Sequence, residues 1–282
     1  MSKPDTPGKW RDLSLRAGAA LVLVPIVILC VYLGGIAYLV LLILAAFQMA
    51  LEWCKLVFPE ERRPVQTMLH LLTVLGVLLG LIWANPLVSL ICFGAGWGAS
   101  TILARGLEAN HYPWALLGIP YLILPIASLY VLRADPGYGL MAVIWVLVVI
   151  WATDTGAYFA GKTIGGPKLS PRFSPKKTWS GLAGGALLAA LAGAGVANYF
   201  NIVPFGALAL LAAFVAVVSQ GGDIFESAMK RNFGVKDSGT ILPGHGGILD
   251  RVDGLIFAAV LCAGIGVMRA GIERAGAGLL VW

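Results

Sequence analysis

Nine apolar stretches, each close to the ~20 residues with which a helix crosses a hydrocarbon core, restrict this chain to one broad architecture. They run roughly over 17–34, 36–58, 68–84, 86–104, 113–132, 137–160, 179–200, 203–229 and 254–272. Breaks fall at Pro59, Asn85-Pro86, Tyr112-Pro113, Asp135-Pro136, Pro175 and Val203-Pro204, where helices tend to stop or start. With 12% charged residues and a mean hydropathy of +0.86, an ordinary soluble domain is excluded. The expected fold is all-α, a polytopic integral membrane protein of about nine transmembrane helices.

The formal net charge of +6 follows topology rather than nucleic acid. With Lys3, Lys9, Arg11 and Arg16 placed in the cytoplasm, alternate segments put 17 of the 20 Lys and Arg inside. Only Arg133, Arg269 and Arg274 fall outside. This positive-inside split sets the orientation, with a cytoplasmic N-terminus. No basic-aromatic patch of the kind that reads nucleic acid is present. The N-terminal run is too long for a cleaved signal peptide and is followed by further spans, so it reads as a first anchor. Cys30, Cys54, Cys92 and Cys262 lie in apolar spans without C-x-x-C spacing and read as buried small hydrophobes.

The chain divides into a cytoplasmic segment 1–16, N-terminal transmembrane helices 17–135, and a C-terminal transmembrane catalytic region 136–282. Two segments of that last region, 161–178 and 230–253, are long, polar and on the cytoplasmic side. Carboxylates within spans are costly and face a partner or a water-filled cavity, which makes them functional candidates. Asp154 sits near the inner end of the sixth span. Asp223, Glu226, Ser227 and Lys230 follow at i, i+3, i+4 and i+7, one helical face at the inner end of the eighth. Asp250 and Asp253 share a face as the ninth begins. Three acid-bearing elements therefore meet near the inner headgroup layer, where a lipid phosphate lies. Gly94/Gly98 and Gly181/Gly185 allow close helix packing within the chain or along a homodimer seam.

Asp223, Asp250 and Asp253 are the candidate magnesium ligands, since magnesium takes carboxylates together with waters and substrate phosphates. Ion pairing to Lys230, Arg231 and Arg251, or helix capping by Asp250, is the alternative. His245, between glycines in P-G-H-G-G, is a candidate phosphate contact. No second His/Cys cluster accompanies it, which argues against zinc. Arg172, Ser174, Lys176, Lys177 and Thr178, with prolines among them, suggest a shaped phosphate site or a lipid-headgroup contact. Residues 156–163, G-A-Y-F-A-G-K-T, match the P-loop pattern letter for letter. They begin inside a span, without the strand and loop that a P-loop requires, and are rejected as one. Nothing reads as an acyl-transfer triad.

The stretch 227–253, S-A-M-K-R-N-F-G-V-K-D-S-G-T-I-L-P-G-H-G-G-I-L-D-R-V-D, resembles the signature of the phosphatidate cytidylyltransferase (CDP-diacylglycerol synthase) family. The runs W-A-T-D-T-G-A-Y at 151–158, S-P-K-K-T-W at 174–179 and G-D-I-F-E-S at 222–227 are also similar to it. Ser180 departs from the Glu or Gln common there. The resemblance implies CTP and phosphatidate as substrates, CDP-diacylglycerol and pyrophosphate as products, and a membrane-lipid environment in a bacterial inner membrane. It implies a catalytic set of Asp223, Asp250, Asp253, Lys230 and Lys177. Substrate would be held by Arg172, Ser174, Lys176, Thr178, Ser227, Arg231, Lys236, His245 and Arg251.

Two rivals share parts of this pattern. A CTP-dependent lipid kinase would attack the γ-phosphorus instead. A cation-coupled transporter would use Asp154, Asp223 and Glu226, but needs acids near the bilayer midplane and paired broken helices.

The orientation is open to a direct test. A single cysteine at Ser170 should resist a membrane-impermeant maleimide on intact cells and react after permeabilisation; labelling of intact cells would invert the topology.

Overall fold

The structure, a computed structural model, describes residues 21–241 and 246–282. The expected cytoplasmic segment 1–16 and the start of the first span lie outside the described residues. Eight helices are long and apolar enough to cross a membrane, and the apolar helix α1 (Leu21–Leu33) precedes them. They are α2 (Gly35–Val57), α3 (Arg63–Ile82, behind a short 3-10 turn, Glu60–Arg62), α4 (Pro86–Leu103) and α5 (Tyr112–Ala134). After these come α6 (Gly139–Thr163), α7 (Trp179–Tyr199), α8 (Phe205–Asn232) and α9 (Leu249–Ala270). A short helix α10 (Ala275–Leu280) ends the fold. The chain is an all-α polytopic integral membrane protein.

Burial ranks the helices. In α5, 61% of the spanning window is buried, against 11% in α4, so α5 is central and α4 peripheral. Trp53, Phe58, Leu132, Trp145 and Leu249 are fully enclosed. Leu90 on α4, Leu191 on α7 and Leu210 on α8 remain exposed, as lipid-facing residues of such a bundle do.

Small residues set the tightest crossing, between α6 and α7. A Cβ on Gly185 would lie 2.8 Å from the Thr153 carbonyl, and one on Gly181 3.0 Å from that of Ala157. This pair therefore packs within the chain. Gly94 and Gly98 face nothing within 4 Å. The P-loop look-alike 156–163 is continuous α6 helix, as its position in a span required.

Several boundaries differ from expectation, α8 running to Asn232 rather than 229 among them. Helix α3 begins at Arg63 rather than 68, and α9 at Leu249 rather than 254. Helix α6 runs to Thr163, and the remainder of 161–178 is not a plain loop. Strand β1 (Lys168–Ser170) pairs antiparallel with β2 (Ser174–Thr178), Lys168 opposite Thr178 and Ser170 opposite Ser174. This hairpin leads straight into α7, whose first turn is capped by Thr178: its Oγ1 accepts from Gly181 N at 3.1 Å. Thr178 is thus engaged at the start of α7, and α6 and α8 present their C-terminal ends, and α9 its N-terminal end, to one another.

At the α6–α7 crossing, a Cβ on Gly156 would sit 2.6 Å from the Gly184 carbonyl and 2.9 Å from Leu188 Cβ. Gly156→Ala should therefore destabilise the fold by about 1–3 kcal/mol, as overpacking does, and lower the thermal unfolding temperature in detergent. An unchanged transition would show that the helices separate freely here.

Candidate active site

The last turns of α8 carry the densest chemistry. Lys230 Nζ lies 2.5 Å from Asp250 Oδ1 and 3.3 Å from Glu226 Oε1, tying α8 to α9. Glu226 is wholly buried. Its contact with Lys230 has ion-pair separation without hydrogen-bond alignment, so both carboxylate oxygens lack a hydrogen-bond partner. An enclosed carboxylate is stable only with a compensating group, and this one is half-compensated.

Asp250 is the hub of the loop before α9. Its Oδ2 accepts from Ser238 N at 2.9 Å, Gly247 N at 2.8 Å and Ser238 Oγ at 3.0 Å, while Oδ1 takes Lys230. Asp253, one turn on, accepts from Gly254 N at 2.8 Å. Its carbonyl lies under Gly222, so α8 and α9 approach closely beside Asp223.

From segment 161–178, the hairpin delivers Lys177. Its ammonium forms an ion pair with Asp223 and approaches the Gln220 carbonyl at 3.5 Å. This pair joins segment 161–178 to α8, because Asp223 belongs to the eighth span and not to segment 230–253. Thr178 is buried and engaged as the α7 cap, with Ser180 Oγ 3.0 Å away. The Ser180 hydroxyl also reaches the Gly165 carbonyl, tying the α7 start to the end of α6. Lys176 and Arg172 are exposed, Arg172 lying over the Phe173 ring, and Ser174 is half-buried in β2.

Asp154 of α6 faces the charges of Asp223, Lys177 and Arg251, and Asp253 faces those of Asp223, Glu226 and Asp154. Five carboxylates (154, 223, 226, 250, 253) therefore share one region with three cations (Lys177, Lys230, Arg251). Among the described residues, no three Asp, Glu, His or Cys side chains converge tightly enough to hold a metal alone. The expected three-carboxylate set Asp223, Asp250 and Asp253 is thus not preassembled as a cage. The donor set still fits magnesium, which is commonly held by one or two carboxylates plus substrate phosphates. The Glu226 oxygens, near Asp253 and without a hydrogen bond apart from the Lys230 ion pair, support that fit.

Other expected residues lie apart from the centre of this cluster. Arg231 donates to the Val235 carbonyl at 2.8 Å and closes the turn after α8. Lys236 is exposed. Ser227 Oγ is 3.5 Å from Asp223 Oδ1, on the shared face that the spacing required. His245 lies outside the described residues. Sequence reasoning overlooked Glu52, on α2 in the first half of the chain. Its carboxylate accepts from Ile248 N, Leu249 N and Ser238 Oγ, within the loop that Asp250 organises. The signal was available, because Glu52 is an acid inside an apolar span like those singled out later in the chain.

Residues 14–267 match the cytidylyltransferase family. The chain is 38% identical over 253 residues to a phosphatidate cytidylyltransferase of Brucella suis biovar 1 (strain 1330), covering 89% of this chain and 92% of the relative. It is 35% identical over 266 residues to that of Thermotoga maritima, covering 88% and 94%. A phosphatidate cytidylyltransferase of Bacillus subtilis (strain 168) is 50% identical over 125 residues, 43% of this chain and 45% of the relative. The chain belongs to the cytidylyltransferase family.

Lys230 is the cation in contact with both Glu226 and Asp250, so Lys230→Met should leave two buried carboxylates without it. Breaking such a pair from one side costs about 3–5 kcal/mol, and the loss should appear as a lowered unfolding temperature in detergent. Wild-type stability with activity alone reduced would show that the pairing does not hold α8 to α9.

Proposed function

We propose that this member of the cytidylyltransferase family transfers CMP from CTP to phosphatidate, giving CDP-diacylglycerol and pyrophosphate for phospholipid biosynthesis. The observation that carries the reading is the convergence of Lys177, Lys230 and Arg251 with Asp154, Asp223 and Asp253 at one end of the apolar helices. At that depth a lipid phosphate meets a water-soluble triphosphate. The names of the Brucella and Thermotoga relatives agree with it. The enzyme sits in the inner (cytoplasmic) membrane with this site on the cytoplasmic side. Gly94 and Gly98, open on α4, are the surface on which a second copy would pack in a homodimer.

A phosphatidate oxygen attacks the α-phosphorus of CTP. The bond from that phosphorus to the bridging oxygen breaks, and pyrophosphate leaves with the electron pair. The nucleophile is already anionic, so no strong general base is required. The difficulty lies in bringing two polyanions together in line. Lys177 exchanges its Asp223 partner for a phosphate oxygen, and Arg251 and Lys230 hold positive charge where the leaving pyrophosphate accumulates negative charge. Asp223 and Asp253 would hold a magnesium ion, which when bound neutralises charge on the triphosphate. Asp250, with Oδ2 held by two backbone N–H groups and the shared Ser238 hydroxyl, serves instead to fix Lys230 and the loop. Arg172, Lys176 and Lys236, exposed around the rim, attract the anionic substrates.

Purified protein given CTP, phosphatidate and magnesium should form a cytidine-bearing lipid; none formed by folded protein would refute the reading. In the same assay Lys177→Gln should lower kcat/KM by at least ~10-fold, about 1.4 kcal/mol of transition-state stabilisation. Lys177→Arg should recover only part, because a planar fork replaces a compact ammonium. Wild-type rates for Lys177→Gln would return the hairpin lysines to a purely topological role.

A further inference from the structure

We propose that Glu52, from the N-terminal half of the chain, is the positioning residue of the active site: it sets where α9 begins, and so where Asp250 and Asp253 stand. The inference rests on the cytidylyl-transfer reading above. Glu52 is on the next-to-last turn of α2 and only 3% exposed. Its carboxylate accepts three hydrogen bonds of its own and shares a fourth donor, the Ser238 hydroxyl, with Asp250. Gln48 Nε2 and Ile248 N donate to Oε1 at 2.9 and 2.8 Å, and Leu249 N and Ser238 Oγ donate to Oε2, both at 2.9 Å. All four donors are uncharged.

Two of those donors are the backbone N–H groups at the very start of α9. The first N–H groups of a helix have no partner within it and carry the positive end of its dipole. A carboxylate that takes two of them holds the helix in position and in rotation. Residue 248 has no side-chain cap of its own for α9, so the cap is supplied from a helix nearly two hundred residues away in sequence.

Ser238 connects this anchor to the chemistry. Its hydroxyl lies 2.9 Å from Glu52 Oε2 and 3.0 Å from Asp250 Oδ2, yet carries a single proton. It therefore serves one carboxylate at a time and keeps both at a fixed separation. The loop closes around Glu52 at the expense of side chains. A Cβ on Gly239 would lie 3.0 Å from Glu52 Cδ, and one on Gly247 would overlap Glu52 Oε2. Ser238, Gly239 and Gly247, three positions of the 227–253 stretch, are explained by a residue outside it. Displacing the start of α9 would move Asp250, the Lys230 that it holds, and Asp253 together.

A misplaced catalytic set slows turnover more than it weakens substrate binding. Glu52→Gln keeps the shape but turns one acceptor into an NH2 group facing backbone donors. In folded protein it should lower kcat at least ~10-fold while the KM values for CTP and phosphatidate change less than ~3-fold. Amide exchange over 246–252 should quicken ~10-fold or more, with 258–268 unchanged, because only the helix start is released. Glu52→Asp, which keeps the charge on a shorter arm, should restore part of both, and it carries the test if Glu52→Gln does not accumulate. A kcat within ~3-fold of wild type, a loss confined to KM, or unchanged exchange over 246–252 would each overturn the proposal. Wild-type protein that makes no cytidine-bearing lipid would defeat the function reading instead, and the exchange comparison would still judge Glu52.

Discussion

A lysine ammonium held between two carboxylates, Lys230 with Asp250 and Glu226, is the contact on which the site end of the bundle depends. Charges in an apolar helix bundle are stable only when paired, so one cation fixes two helices and the loop between them. With α8 and α9 joined there, Asp223 and Asp253 stand beside each other, and Lys177 reaches Asp223 from the hairpin. The rest of the bundle supplies the frame: small residues let α6 and α7 cross tightly, which brings Asp154 toward the same point.

This arrangement is a charge balance left incomplete. Carboxylates outnumber cations in the cluster, and Lys177 and Lys230 are partnered by carboxylates that a phosphate could replace. Such a site suits substrates that are themselves polyanions. Little proton chemistry is needed, which agrees with a cluster containing no histidine among its described residues. Specificity for a lipid acceptor then follows from depth: the cluster lies at the ends of spans, where headgroups are.

Much of this was legible in the sequence because membrane helices are specified by long, strong signals. The apolar runs gave the spans, and i, i+3, i+4 spacing placed Asp223, Glu226, Ser227 and Lys230 on one face. The P-loop match failed for the reason visible beforehand, since Gly156 lies inside a span. What escaped has physical causes. The strands Lys168–Ser170 and Ser174–Thr178 are too short for an alternation pattern, and two prolines interrupt the reading. Thr178 looked like a ligand group but is occupied as a helix cap, and Arg231 turns back to a carbonyl. Asp250 reads as a metal ligand by type, yet its contacts make it a loop clamp. Glu52 stood out only as an acid in an apolar span; its role was hidden because Ser238, Ile248 and Leu249 lie 186 to 197 residues away, a separation that no local pattern reveals. The division at 135/136 therefore describes the chain but not the site, which draws on both sides.

The central claim is that phosphatidate attacks the α-phosphorus of CTP, and the fate of label tests it most directly. Purified wild-type protein would be given phosphatidate, magnesium and CTP carrying one isotope in the cytidine and another in the γ-phosphate. The account predicts that the lipid product carries the cytidine label alone, with the γ-label leaving as pyrophosphate in equal amount. Transfer of the γ-label to lipid, with the cytidine released as CDP, would contradict it.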